Sequence, residues 1–252
     1  MLRTNQSPYY LTGLLFVLTC VFAGLPDPTF AQEFNVNLGE GGTFSGRVVQ
    51  LLLLLTVLSL APSILIVVTS FTRMIVVLSL LRSALGTQQT PPNVVLISLA
   101  LFLTGFVMAP TFEKAYTEGV APLIAEEIPQ EEAIANTVAP FRDFMLANVR
   151  EKDLTLFLNL SDTPPPENLS DLPVQVLIPA FMISELRRAF EIGFLIYLPF
   201  IIIDLVVSSI LMSMGMMMLP PVMIALPFKL IFFVLVDGWG LVAGSLVRSF
   251  TG

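Results

Sequence analysis

The sequence contains no histidine and a single cysteine, Cys20. The first absence removes the commonest general base and the commonest metal ligand, and with them every Ser-His-Asp scheme. The second excludes an internal disulfide framework and a cysteine metal site. Charge is also scarce. Only 12% of the residues are Asp, Glu, Lys or Arg, about half the usual level for a soluble domain. The net charge of -7 argues against a nucleic-acid partner, because phosphate binding needs a basic face. No catalytic residues, cofactor or metal are expected.

What is abundant is apolar sequence: 55% of the residues are hydrophobic and the mean hydropathy is +0.86. Those values place the chain in the membrane class. The length suits one domain of several long helices.

Residues 1–31 read as a signal peptide. Arg3 precedes the apolar run Leu11 to Gly24, and Thr29 and Ala31 are small residues at the -3 and -1 positions of a cleavage site after Ala31. An uncleaved anchor helix is the alternative, but the run is short for a span. A lipoprotein reading through Cys20 is weaker, since Thr19 replaces the small residue a lipobox needs. Residues 32–47 then form a short extracytoplasmic segment.

The first apolar hairpin is expected over 48–110. Val48 to Leu81 is too long for one straight span, and Pro62 and Ser63 interrupt it, so it reads as a bent helix or a tight helical pair. The loop from Arg82 to Asn93 follows, and a second segment runs from Val94 to Ala109, ended by Pro110.

Residues 111–178 differ in character. Between Thr111 and Pro173 twelve acids face four bases, so this stretch carries the whole net acidity. It is expected to face water outside the cytoplasm. Ile134, Val138, Phe141, Met145 and Val149 lie at helical spacing, predicting an amphipathic helix within Glu131 to Leu160, its apolar face widened by Phe144, Phe157 and Leu158. Pro164, Pro165 and Pro166 make a stiff linker.

The second apolar hairpin is expected over 179–252, with segments from Pro179 to Met212 and from Pro221 to Val247. Arg187, Arg188 and Arg248 would fall outside in a plain four-span topology, against the positive-inside rule. Arg73, Asp204, Lys229 and Asp237 lie within or beside apolar segments. Such charges are costly at membrane depth. One reading is mutual pairing that fixes helix register; the other is a proton or ion relay. Pro62, Pro199, Pro220 and Pro227 suit helices that pack on other protein rather than lipid, and together these features point to an oligomer.

The turn between the two segments holds Met212, Met214, Gly215, Met216, Met217 and Met218, then Pro220 and Pro221. It reads either as an ordinary apolar turn or as a deformable seal, since thioether side chains re-pack readily and apolar constrictions gate by dewetting.

Several ordered stretches resemble the FliP family of export-gate proteins. They are Pro179 to Phe194, with Ser184-Glu185-Leu186-Arg187-Arg188 at its centre; Pro199 to Leu205; Met214 to Pro221; Leu226 to Leu230; and Val236 to Trp239. Upstream, Thr69 to Arg73, Leu80 to Gln88 and Pro91 to Asn93 also fit. The resemblance covers roughly residues 47 to 250. The signal peptide, Leu219-Pro220-Pro221 and Val236-Asp237-Gly238-Trp239 are similar to the flagellar branch.

The resemblance implies an all-α membrane protein of two long helical hairpins and an extracytoplasmic helical region. Its copies would assemble, as a pentamer with FliQ and FliR, into a conical gate in the inner membrane at the flagellar basal body. The helices would be raised largely above the bilayer. The implied role is passage of unfolded rod, hook and filament subunits, with FlhA and FlhB supplying the energised and switching parts. The methionine turn would be the gasket of the closed pore. Phe144, Phe157, Glu185, Arg187 and Arg188 would lie at subunit contacts. The competing classes are a self-contained ion or solute transporter, for which no convincing inverted repeat is present, and an intramembrane protease using Asp204 and Asp237, for which no flanking motif is present.

Overall fold

The computed structural model describes residues 44–161, 172–216 and 219–251. The expected signal peptide, the segment 32–43, the triple-proline linker and the pair Met217–Met218 lie outside the described residues. Two compact units divide the chain, Met1–Leu55 and Thr56–Gly252. The described part of the first is the start of helix α1, Phe44–Val67; everything below concerns the second. Among the described residues all regular structure is helical.

Helix α1 runs through position 62, and the break falls instead at Val68–Ser70. Its cause is local. The Phe71 N–H donates to Thr69 Oγ1 at 3.4 Å, and both Thr69 and Ser70 are buried. Short hydroxyl side chains compete with the helical ladder in this way. Helix α2, Phe71–Leu85, ends at Gly86 in the left-handed region, φ 79°, the usual conformation of a helix-terminating glycine.

Helix α3, Asn93–Ala115, starts directly after Pro91-Pro92 and passes through Pro110. The expected stop there does not occur. Thr111 and Ala115, beyond the proline, are buried, so packing outweighs one lost backbone bond. The helix continues into a π-helical turn, Tyr116–Val120, and a short helix α4, Ala121–Ile124.

The acidic region contains two helices rather than one. Helix α5, Gln130–Asn148, has Glu131 and Glu132 in its first turn, and α6, Glu151–Leu160, has Glu151 and Asp153 in its first turn. Both placements favour the positive end of the helix dipole. Val149 and Arg150 between them are extended.

Helix α7, Val174–Ser213, is 40 residues long and carries Pro179 and Pro199 internally. At 1.5 Å per residue it extends about 60 Å, twice a hydrocarbon core. Helices α8, Pro221–Leu235, and α9, Gly238–Thr251, replace the expected single last segment. They are bent by 63° at Val236–Asp237, where Asp237 has φ 51°. Among the described residues two stretches, Asn93–Ile124 and Val174–Ser213, are long and apolar enough to cross a membrane, or three if α8 and α9 form one broken span.

The interior has two parts. One joins α2, α3, α7, α8 and α9 around Met74, Leu81, Ala100, Phe200, Phe233 and Leu246. The other joins α5, α6 and α7 around Met145, Leu154, Leu177 and Phe181. Phe144 packs against both. Helices α2 and α7 approach closely at Gly193, where an added Cβ would run into the Leu80 side chain.

Candidate functional site

The first third of α7 is the polar hub of the described residues. Ser184 and Glu185, adjacent in sequence, are both wholly buried. Ser184 serves the acidic region. Its hydroxyl donates to Asp153 Oδ2 at 2.7 Å, and the Arg150 N–H donates to Ser184 Oγ at 3.0 Å. The extended break between α5 and α6 is thus satisfied from α7, 34 residues away.

Glu185 serves α2. Arg73 Nε donates to Glu185 Oε2 at 2.9 Å, and Arg73 Nη2 pairs with Oε1. Both side chains have no exposed surface. The two-pronged contact uses the planar fork of the guanidinium. The third nitrogen, Nη1, donates to the Ser249 carbonyl at 3.0 Å and to Ser249 Oγ at 2.9 Å. The ring of Phe250 lies 3.5 Å from the Arg73 Cζ, within cation–π range.

A second pair stands further along the same helix, with Lys229 buried and the Asp204 side chain 34% exposed. Lys229 on α8 donates to Asp204 Oδ2 at 2.7 Å and to the Ala84 carbonyl at 3.1 Å, next to Gly86 at the end of α2. One ammonium therefore ties three helices together. Of the four charges singled out within apolar sequence, three are paired inside the chain. Asp237 is not. It is exposed at the α8–α9 elbow, its carboxylate against Gly240 in the first turn of α9, where the helix dipole favours an anion.

The methionine turn closes α7 with a Schellman arrangement. The Gly215 N–H donates to the Met212 carbonyl at 3.1 Å and the Met216 N–H to Leu211 at 3.0 Å. Gly215 has φ 74°, a conformation that L side chains adopt at a cost. Met212, Met214 and Met216 are exposed, by 59%, 61% and 43%.

The residues expected at subunit contacts divide. Glu185 lies in the interior on Arg73. Phe144 meets Phe181 edge-on at 5.9 Å and stacks on Phe250 at 5.8 Å, and Phe157 packs against the core cluster that contains Phe181. Arg187 is exposed and pairs with Glu191 at 2.9 Å, and Arg188 is half-buried. Asp153, Ser249 and Phe250 carry no role in the sequence reading, and Ser184 enters it only as part of the Pro179 to Phe194 stretch. Short polar residues in apolar helices gave the one available signal, at Ser184 and Ser249, and nothing local indicates their partners.

The chain's similarities agree on one family. The FliP family model matches residues 54–246. The chain is 58% identical over 241 residues to the flagellar biosynthetic protein FliP of Caulobacter vibrioides, covering 95% of this chain and 90% of that protein. It is 57% identical over 202 residues to the protein of the same name from Bacillus subtilis, covering 80% and 91%. With that of Pectobacterium carotovorum the figures are 51% over 250 residues, 99% and 95%.

Proposed function

The chain belongs to the FliP family, and from that membership we propose that it is a pore-forming subunit of the flagellar type III protein export gate. Several copies, a pentamer by family resemblance, assemble with FliQ and FliR in the inner membrane. Unfolded rod, hook and filament subunits pass outward through the centre. FlhA and FlhB supply energy and switching, so this chain carries no catalysis. Residues 48–110 and 179–252 are the two apolar hairpins, and 111–178 faces the extracytoplasmic side. The helices of the assembled gate sit largely above the bilayer, and the methionine turn is the gasket of the closed pore.

One observation carries this reading beyond family membership. The chain pairs its buried charges internally but leaves rows of large apolar side chains bare. Phe102 and Phe106 on α3, Phe194 and Leu205 on α7, and Val234 and Leu235 on α8 are all exposed. Such rows suit neighbouring protein helices as well as lipid. The exposed turn Met212 to Met216 at the end of a helix about 60 Å long suits a ring of like turns about an axis. The protease alternative is disfavoured by geometry, since Asp204 is engaged by Lys229 and Asp237 stands at the exposed elbow.

Native mass spectrometry of the chain extracted in mild detergent, after co-expression with FliQ and FliR, tests the assembly. A discrete multi-copy complex containing both is expected. A monomer or simple dimer without them would contradict the reading.

A further inference from the structure

Ser249 and Phe250 stand in the last turn of α9, yet they complete contacts made by earlier parts of the chain. Glu185 occupies Nε and Nη2 of Arg73, so Nη1 depends on Ser249. The Ser249 hydroxyl donates to the Leu246 carbonyl at 2.7 Å, which leaves its lone pairs for Arg73. The Ser249 carbonyl belongs to the last turn of α9, where helix carbonyls lack intrahelical partners and a cation is favoured. Phe250 adds its ring to the guanidinium of α2 and to Phe144 of α5, and Phe144 in turn meets Phe181 of α7.

We propose that the last turn of α9 is an intramolecular clip, with Arg73 as its positioning residue, and that a chain must close this clip before it enters the oligomer. The clip seats α9 on Arg73 of α2 and Phe144 of α5, each of which in turn contacts α7, and so links the second hairpin to the acidic region. Arg73 lies at zero exposure. With the clip open, one arm of a buried guanidinium has no acceptor, a costly state for a charged donor. The clip residues follow α2, α5 and α7 in the chain, so this charge cluster becomes complete only once α9 is seated. The coupling to assembly rests on the oligomeric reading above; the clip itself does not.

The test is hydrogen exchange of full-length protein in mild detergent, read on peptides from α2, α7 and α9, alongside the yield of complex on co-expression with FliQ and FliR. Two variants separate the clip from the ion pair. Phe250→Ala leaves every charge in place. The exchange of partners, Arg73→Glu with Glu185→Arg, retains an ion pair but turns a carboxylate toward the Ser249 carbonyl. Both are expected to raise exchange in 241–251 roughly tenfold, the scale of losing a charged hydrogen bond or a desolvated cation–π contact, with α2 and α7 still protected and complex yield reduced. Unchanged exchange in α9 overturns the clip. Faster exchange with full complex yield overturns its coupling to assembly. Absence of any multi-copy complex from the unaltered chain counts against the gate reading and leaves the exchange result on the clip intact.

Discussion

Arg73 and Glu185 lie 112 positions apart in sequence and form an ion pair with no solvent-exposed surface on either side chain. The pair closes the contact between α2 and α7, the two helices that also meet at Gly193.

Removing one partner strands the other charge. Arg73→Met or Glu185→Leu alone is expected to destabilise the chain by about 3–5 kcal/mol, whereas the two together cost less than either single change, because a buried pair is often replaceable by apolar residues. Thermal unfolding of detergent-extracted protein measures this. A double variant as unstable as the sum of the singles would show that the pair does not act as a unit.

At the Asp204–Lys229 pair the two directions of substitution differ. Lys229→Met leaves both the Asp204 carboxylate and the Ala84 carbonyl without their donor, a loss of about 3 kcal/mol, because the Asp204 side chain is 34% exposed and water can take up part of the deficit. Asp204→Asn keeps an acceptor oxygen for the ammonium and should cost about 1–3 kcal/mol. The same variant separates packing from proteolysis. Export of flagellar subunits is expected to survive in Asp204→Asn, and its complete loss in a chain of normal stability would revive a catalytic role.

Two glycines make opposite predictions. At Gly119, in the π-helical turn, an added Cβ would come within 2.7 Å of the Thr137 nitrogen and 2.9 Å of the Ala133 carbonyl. Backbone cannot yield as a side chain does, so Gly119→Ala should destabilise by about 1–3 kcal/mol. At Gly105, inside α3, nothing lies within 4 Å. Gly105→Ala should therefore stabilise the isolated chain by about 0.5–1 kcal/mol through helix propensity. Unfolding midpoints of the purified single chain decide both.

The all-helical class and the family were legible from composition, apolar runs and ordered local stretches. The helix breaks were less so, for a physical reason. Pro62 and Pro110 are conspicuous in sequence, yet helices run through both positions. The α5–α6 break has no proline or glycine; it exists because Ser184 accepts the Arg150 N–H from a distant helix. The α8–α9 elbow sits at Val236–Asp237, where a non-glycine residue takes a positive φ. The charges within apolar sequence announced themselves individually, as any intramembrane charge does. Asp204 and Lys229 pair across 25 positions, whereas the pairing of Arg73 with Glu185 and the engagement of Ser249 and Phe250 span more than a hundred, and no local pattern encodes either.

The methionine turn offers the most direct measurement. Met214 and Met216 are exposed beside Gly215, so a photo-crosslinking residue at either position should leave the turn's backbone unaltered. With a flagellar subunit stalled during export in living cells, the account predicts crosslinks from positions 214 and 216 to the stalled subunit, and none from exposed position 155 on α6. A stalled, export-competent complex that gives no crosslink from the turn would contradict a pore lined by these methionines.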